Sequence, residues 1–224
     1  MNKLSTRLEM VASLVPNGVN CADIGADHGY LIISLLNRGI IKKGYACENK
    51  VGPFNRLKEN VQTLGLLGKI EVDLSDGNRT LPSDVNCVII AGMGGDSVNQ
   101  IILDSVSKLE HIDHFIISSH SKMDEVRRLL NSNGFYIENE KTCFDMNQYY
   151  EVSLFSKGNI DYTEKELKYG PILLKNKDFN LSIKLEEKVK NNLNLMQNKT
   201  LPEEKINSLY DENLELSNIL KLLK

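Results

Sequence analysis

The chain lacks the long apolar stretch that a membrane-spanning helix needs, which is about 18 consecutive residues. The first residues also lack the apolar segment of a signal peptide, so we expect a cytoplasmic protein with no membrane partner. The 224 residues combine 41% hydrophobic with 25% charged residues, the composition of a globular protein. A chain of this length holds one large domain, or an average domain with an appendage.

The four cysteines lack the paired spacings of a metal site or a redox motif, and we therefore predict no metal. Three of them, Cys21, Cys47 and Cys87, fall inside apolar runs and are interpreted as reduced core residues. An excess of basic residues is missing as well, because the net charge is -3. This charge argues against a globally basic nucleic-acid binder, but it leaves a local basic patch open.

Strand-like and helix-like segments alternate through most of the chain. An opening helical stripe follows Ser5, a plausible cap, and is predicted to stop at residues 16–18. Short β-rich runs then occupy residues 20–24, 43–47, 70–73, 86–91 and 114–119. Helical patterns follow them at residues 30–38, 51–64, 98–107 and 122–132. This alternation predicts an α/β fold with a parallel sheet covered by helices on both faces.

The pattern changes after the fifth strand, where residues 135–143 and 149–156 indicate two strands with a short connection. They predict an antiparallel hairpin that completes a mostly parallel, seven-stranded sheet. Five parallel strands followed by such a hairpin are typical of Rossmann-like class I methyltransferases. A dinucleotide-binding dehydrogenase would instead continue with a helix and another parallel strand.

The end of the chain has no β-rich run, so we predict a catalytic domain, residues 1–158, and a helical coiled-coil domain, residues 159–224. Apolar residues step by three and four in two segments joined by residues 199–202. The segments are predicted to pair antiparallel, with Asn192 and Asn213 close together in the seam. This domain has 11 Lys and 11 acidic residues. It is interpreted as a self-stabilising hairpin, or as an arm that grips an extended ligand or a second subunit.

A glycine-containing loop ends the first predicted strand, with the sequence Asp23-Ile24-Gly25-Ala26-Asp27-His28-Gly29. An acidic residue shortly before glycine at this point is what S-adenosylmethionine binding requires, since Gly25 brings bare backbone against the cofactor. We predict cofactor contacts from Asp23, Gly25, Asp27 and His28. The loop alone is a weak signal, because nicotinamide and flavin nucleotides bind to the same arrangement.

Acidic residues at the next two strand ends narrow the choice of cofactor. Glu48, with Asn49 beside it, stands where a carboxylate accepts hydrogen bonds from both hydroxyls of an adenosine ribose. Asp76, followed by Gly77, stands where an acceptor takes the exocyclic amine of adenine. The alternatives are a solvated carboxylate and an ordinary Asp-Gly turn. Acidic residues at the ends of three successive strands favour S-adenosylmethionine as the cofactor more strongly than one such residue alone does.

The fourth strand runs into Ala91-Gly92-Met93-Gly94-Gly95. Many enzymes that methylate exocyclic amines have an Asn-Pro-Pro-aromatic sequence here, and this chain does not. We predict that the backbone of Gly92, Met93 and Gly94 approaches the methyl-donating sulfur and a flat base. The alternative is a tight strand-to-helix turn with no other role.

These motifs resemble those of the bacterial TrmK family, tRNA methyltransferases that act on N1 of adenine 22. The resemblance spans almost the whole chain and rests on residues 4–8, 22–28, 52–54, 76–77 and 91–95. Family members also end in a helical coiled coil. One departure is Ser118-Ser119-His120, which stands where the family tends to have Gln-Pro-Asn. The resemblance therefore leaves this part of the acceptor pocket undefined.

The resemblance implies tRNA as the partner and a catalytic role for Asp27. N1 of adenine offers an in-plane lone pair and no proton, so its methylation needs alignment and charge stabilisation rather than a general base. A carboxylate near the exocyclic amine becomes a better acceptor as the base gains positive charge, and the resemblance places Asp27 there. The alternative is that Asp27 caps the following helix. His28 orients Asp27, contacts phosphate or is structural.

Three further residues are candidate substrate contacts. Arg7 binds the cofactor carboxylate or the nucleotide, or is an ordinary surface residue. Tyr149 and Tyr150, on the predicted hairpin, stack on RNA or pack within the sheet. Because N1 lies on the pairing edge of adenine, a paired or stacked target must turn out of its stack.

Two other functions stay open. One is a class I methyltransferase of another RNA base or of a small molecule, and the other is an inactive nucleotide-binding interaction protein. We expect a monomer, because an antiparallel hairpin within one chain can satisfy the helical seam.

Overall fold

The computed structural model describes residues 3–76, 81–105, 110–198 and 200–224. The chain forms two compact units, Met1–Gly170 and Pro171–Lys224. Within the described ranges, no helix is both long enough and apolar enough to cross a membrane.

Helices and strands alternate in the first unit much as the sequence predicts. Their order is α1 Thr6–Ala12, β1 Val19–Ile24, α2 Tyr30–Asn37, β2 Ile41–Glu48, α3 Val51–Thr63, β3 Ile70–Leu74, β4 Cys87–Met93, α4 Gly95–Asp104, β5 His114–Ser119, α5 Met123–Ser132, β6 Phe135–Asp145, β7 Gln148–Lys157 and α6 Glu164–Tyr169. The predicted end of α4, residue 107, lies outside the described residues.

The described strands form one seven-stranded sheet in the order β3-β2-β1-β4-β5-β7-β6. β1 to β5 pair in parallel, and β7 runs antiparallel to both β5 and β6. The predicted α/β fold is thereby confirmed. The strand order reverses between β1 and β4, and ligands of open α/β sheets bind at the carboxyl ends of the strands on either side of such a reversal. The loops after β1, β2, β3 and β4 all open at that edge.

The first helix begins where the sequence predicts but ends earlier than predicted. Ser5 is the predicted cap, and its Oγ accepts a hydrogen bond from the Leu8 backbone N–H at 3.2 Å. The helix ends at Ala12, before the predicted stop at residues 16–18. The chain tightens there, because the Leu14 N–H donates to the Val11 carbonyl three residues back.

The cysteine prediction is confirmed by burial. Cys21, Cys47 and Cys87 are fully buried and unbridged. Burial raises the pKa of Cys47 to about 12 and raises that of Cys21 well above its ordinary value. Thiols held in the protonated form in this way are inert core residues.

The last two strands form a long hairpin with a two-residue turn at Met146 and Asn147. The predicted strand bounds, residues 135–143 and 149–156, are each extended at the turn. Pairing continues to Asp145 opposite Gln148, so two residues connect the strands, whereas the predicted bounds left five between them.

A buried ion-pair network fixes the end of the first unit. Arg127 of α5 is 1% exposed and pairs with Glu140 and Glu151, while its Nη1 donates to the Leu167 carbonyl at 3.2 Å. The network ties α6 to α5 and β6. The compact units therefore divide after Gly170, whereas the change in composition predicted a domain boundary at residue 158.

The second unit contains three helices, α7 Pro171–Lys175, α8 Phe179–Met196 and α9 Glu203–Leu223, over its described residues. Residues near the end of α8 pair with residues near the middle of α9, and Glu186 pairs with Lys224 at the end of the chain. The two long helices are therefore antiparallel, as predicted. Asn192 is 1% exposed, and its Nδ2 donates to Asn213 Oδ1 at 3.0 Å, which confirms the predicted proximity. Lys199, in the predicted turn, lies outside the described residues.

Candidate active site

The loop after β1 is held against the end of β2 by two backbone hydrogen bonds. The N–H groups of Gly25 and Ala26 both donate to the Cys47 carbonyl, at 3.0 and 2.9 Å. Gly25 has φ +73°, and a Cβ built there would collide with the terminal methyl of Met93. The positive φ is what favours glycine here, because the Met93 methyl is the end of a flexible side chain and can move aside.

Asp27 stands at the exposed rim of this loop. Its backbone has φ +49°, its side chain is 64% exposed, and His28 Nε2 lies 3.6 Å from Asp27 Oδ1. Asp27 does not cap α2, because the N-cap residue of that helix is Gly29. A non-glycine residue in the left-handed region of backbone conformation often marks a functional site.

Glu48 joins the first two loops. It is 7% exposed, its Oε2 accepts from the Asp27 backbone N–H at 3.3 Å, and its Oε1 accepts from the Lys50 N–H at 3.0 Å. Each carboxylate oxygen has two lone pairs, so both can accept a further bond from a ribose hydroxyl. The two backbone hydrogen bonds thus fix the orientation of the carboxylate at the end of β2.

The ends of β2 and β3 meet through a side-chain contact. Asn49 Nδ2 donates to Asp76 Oδ1 at 3.0 Å, and both residues are exposed. Gly77, which the sequence analysis predicts as a cofactor contact, lies outside the described residues.

Two cavities meet at this edge of the sheet. The larger, of about 700 Å³, is lined by Glu48, Asn49, Asp76 and Met93 among others. Its volume is that of a typical small-molecule site. The smaller, of about 200 Å³, is lined by Arg7, Asp23, Asp27, His28 and Tyr30 among others. Gly25, Ala91 and Gly92 line both cavities, so bare backbone forms the passage between them.

Asp23 is a buried acid on the wall of the smaller cavity. It is 4% exposed, and desolvation raises its pKa to about 7. The Arg7 guanidinium opposes this rise, while the Glu48 carboxylate adds to it. The carboxyl group therefore changes charge near neutral pH and is sensitive to any cation that enters the cavity.

Arg7 connects several parts of the site. Its backbone N–H donates to Asp145 Oδ2 at 3.1 Å, and its guanidinium Cζ lies 5.5 Å from the centre of the Tyr150 ring. Gly92 has φ +92°, and a Cβ there would lie 3.3 Å from Arg7 Nη1. That buried Nη1 has no hydrogen-bond partner among the described residues. A buried donor in this state, beside a cavity, fits an anionic group of a ligand.

The two predicted tyrosines lie on opposite faces of β7. Tyr150 faces Arg7, and the His120 ring lies 5.9 Å away, edge to face. Tyr149 packs edge-on against Phe144 instead, with ring centres 6.4 Å apart. Only Tyr150 is therefore brought to the Arg7 side, as the alternation of side chains along a strand requires.

Two side-chain contacts at this edge are not predicted by residue spacing. The ring of Tyr30 stacks on His28, with centroids 5.3 Å apart and planes 20° apart. His120 reaches the end of β4, since its backbone N–H donates to the Met93 carbonyl at 3.0 Å. His120 belongs to Ser118-Ser119-His120, the segment at which the sequence departs from the family and to which it assigns no role. Among the described residues, no group of three or more His, Cys, Asp or Glu side chains is arranged to hold a metal.

The sheet order, its antiparallel last hairpin and the acidic strand ends around a shared cavity define a class I methyltransferase. A family model described as a methyltransferase domain matches residues 4–153. The chain is 30% identical over 183 residues to the tRNA (adenine(22)-N(1))-methyltransferase of Bacillus subtilis, covering 79% of this chain and 77% of that protein. The chain belongs to the TrmK family of bacterial tRNA (adenine(22)-N1)-methyltransferases.

Solved structures agree over nearly the full length. Streptococcus pneumoniae Sp1610, in complex with S-adenosyl-L-methionine, superposes with a TM-score of 0.90 at 29% identity, over 97% of this chain and all of that one. TrmK of M. capricolum, in complex with S-adenosyl-homocysteine, gives 0.89 at 25% identity, over the whole of both chains. The resemblance found in the sequence is thereby confirmed.

Proposed function

We propose that this protein transfers a methyl group from S-adenosylmethionine to N1 of adenine 22 in tRNA. The observation that carries the proposal is the pair of cavities that meet at Gly25 and Gly92, with Asp27 at the rim. One cavity has the acidic strand ends that suit an adenosine, and the other has opposed charges that suit an amino acid group. The name of the B. subtilis relative supports tRNA adenine 22 as the acceptor.

The cavity residues fit S-adenosylmethionine in both of its halves. Glu48 accepts from the ribose hydroxyls, and Asp76 with Asn49 borders the adenine. At the other end, the unpaired Nη1 of Arg7 binds the carboxylate, while Asp23 balances the ammonium group. When bound, the cofactor supplies a methyl group on a positively charged sulfur.

Residues at the exposed rim of the smaller cavity act on the acceptor base, while Arg7 and Asp23 inside it serve the cofactor. Asp27 accepts a hydrogen bond from the exocyclic amine of adenine, and this bond strengthens as the base becomes a cation. His28 lies within 3.6 Å of the Asp27 carboxylate and restricts its orientation, while Tyr30 backs the His28 ring. Gly92 lines both cavities and presents backbone without a side chain beside the base. The protein thus contributes alignment and charge stabilisation, and no proton needs to be removed from N1.

Two further proposals concern the oligomeric state and the location of the protein. We propose a monomer, since α8 and α9 pair with each other within one chain. The reaction takes place in the cytoplasm, where its tRNA substrate is found.

The test is methylation of tRNA by the purified protein, with the modified nucleotide mapped by mass spectrometry. We expect one methyl group per tRNA, on N1 of adenine 22, and none on a matched transcript with guanine at position 22. Methylation at another position, or of a small molecule only, would overturn the proposed acceptor. If calorimetry detects no binding of S-adenosylmethionine, the assignment as an enzyme is itself overturned.

A further inference from the structure

The tip of the β6–β7 hairpin stands beyond the edge of the sheet where the active site opens. Pairing of β7 with β5 ends at Ser153 opposite Ile117, whereas pairing with β6 continues to Gln148 opposite Asp145. The end of β5 lies level with Tyr150, because His120 contacts that ring. At the usual rise of a strand, the turn therefore projects about 10 Å past the carboxyl edge.

The turn itself breaks the usual residue preference. Met146 and Asn147 have φ +48° and +60°, a conformation for which two-residue turns prefer Asn-Gly. Positive φ is unfavourable for methionine, and the residue is 86% exposed. Phe144, before the turn, is 41% exposed as well. An apolar side chain in a strained and exposed position indicates a role outside the fold.

The tip is tied to the residues that line the smaller cavity. Arg7 holds Asp145 through its backbone and covers Tyr150 with its guanidinium. Tyr150 in turn donates from its hydroxyl to Gln148 Oε1 at 3.0 Å. These contacts reach both strands within one residue of the turn, so Met146 is held at a fixed place relative to Arg7.

We propose that Met146 is an apolar wedge that enters the tRNA base stack beside adenine 22 and holds that base turned out. This inference rests on the proposed function, because N1 is on the pairing edge and is reached only when the base leaves its stack. Methionine and phenylalanine side chains serve as such wedges in other nucleic-acid-binding proteins. Arg7 links the wedge to the smaller cavity, and the base is received at the rim of that cavity, beside Asp27.

The turning out of base 22 can be measured with tRNA that carries the fluorescent base 2-aminopurine at that position. S-adenosylhomocysteine replaces the methyl donor, so that no methyl transfer takes place. The informative variant is Met146→Gly, which removes the wedge and suits the positive φ of the turn, so the hairpin is retained. The matched control is Leu64→Gly, since Leu64 is 48% exposed and follows α3 at the opposite edge of the sheet. We expect the fluorescence to rise with the wild-type protein and with the control, and to stay low with Met146→Gly.

The methylation rate separates a wedge from a general tRNA contact. We expect Met146→Gly to lower kcat/KM for tRNA on the order of 10-fold, with an unchanged Kd for the cofactor. A tRNA with an abasic nucleotide opposite adenine 22 is expected to restore the rate, because its target base is already unpaired. Equal fluorescence for the variant and the wild type, or an equal loss on both tRNAs, would overturn the wedge. A wild-type protein that turns the base out but never methylates adenine 22 would overturn the proposed function instead.

Discussion

The two units of the chain both bury polar side chains, but the partners of those side chains differ. In the first unit, Asp23 is buried on a cavity wall, and burial raises its pKa to about 7. In the second, Asn192 is equally buried, yet it donates to Asn213 and Glu212 of the facing helix. A buried polar group that faces a cavity serves a ligand, whereas one whose partners lie in the protein fixes the packing. Substitutions at the two kinds of position should therefore affect different measurements.

The largest effect is expected at the cavity rim, for Asp27→Asn. An amide carries no negative charge to stabilise the cationic base, so kcat should fall on the order of 10²-fold. The cofactor Kd should change little, because the Glu48 carboxylate contacts only the backbone of Asp27. Single-turnover methylation of tRNA measures the rate, and calorimetry measures the affinity.

Asp84→Asn is the matched control for this carboxylate. Asp84 is exposed near the opposite edge of the sheet, where it pairs with Lys43. The control should retain the wild-type rate. Equal single-turnover rates for Asp27→Asn and the wild type would remove Asp27 from the mechanism.

The next effect is expected for Glu48→Gln, which should raise the cofactor Kd by about 10- to 100-fold. The carboxylate is proposed to accept charge-assisted bonds from the ribose, each contributing about 1.5–3 kcal/mol. Equilibrium titration with S-adenosylmethionine gives the Kd, and Glu71→Gln, at an exposed carboxylate of β3, serves as the control. An unchanged Kd would mean that Glu48 only joins the two loops.

Asp23 should make cofactor binding depend on pH. The cationic groups of S-adenosylmethionine favour the ionised carboxylate, so protonation below about pH 7 weakens binding. We expect the Kd to rise up to about 10-fold for each pH unit below that value and to level off above it. Asp23→Asn should bind more weakly and show a flat profile between pH 6 and 8. The same slope in variant and wild type would assign the titration to another group.

The free energy of unfolding of the cofactor-free protein should fall as the pH rises, whereas cofactor binding should become tighter. Asp23 has a native pKa of about 7, above the value of about 3.9 in an unfolded chain. The native state therefore holds a proton that the unfolded state has released, and this residue lowers stability as pH rises from about 4 to 7. At pH 8, Asp23→Asn should raise the free energy of unfolding by up to about 4 kcal/mol. Urea titration checks the sign.

Much of the fold could be predicted from the sequence because its patterns are local. Strand and helix alternation, the cap at Ser5 and the seam at Asn192 and Asn213 depend on residue spacing, which the chain displays directly. The helix end at Ala12 could not be predicted, since nothing in the spacing requires the turn to tighten there. The boundary after Gly170 could not be predicted either, because it depends on the contacts of buried Arg127 with the residues of α6. A sequence pattern assigns a charged residue of this kind to the surface.

The candidate site was predictable at the strand ends and less so elsewhere. Parallel strands bring their carboxyl ends to one edge, so Glu48 and Asp27 were expected together and are joined by a hydrogen bond. Contacts from outside the motifs needed the tertiary structure. The stacking of Tyr30 on His28 and the approach of His120 to Tyr150 depend on side-chain directions that spacing does not fix.

The smallest effect is expected in the helical seam, and it concerns stability and register rather than catalysis. Asn192→Leu leaves the Asn213 and Glu212 acceptors without their donor, so the free energy of unfolding should fall by about 1–3 kcal/mol. The double variant Asn192→Leu/Asn213→Leu should regain this loss or exceed the wild type, because apolar seam residues stabilise a coiled coil at the expense of its specificity. Denaturant unfolding measures the stability of both.

Light scattering on the same variants decides whether these asparagines also keep the chain monomeric. With the polar pair removed, a seam of leucines accepts other registers and partner helices, so the double variant should form some dimer while the wild type does not. The cofactor Kd should match the wild type in both variants, in contrast to Asp23→Asn. A changed cofactor Kd in either seam variant would contradict the distinction between the two units. It would mean that a polar pair within the helices also influences cofactor binding in the first unit.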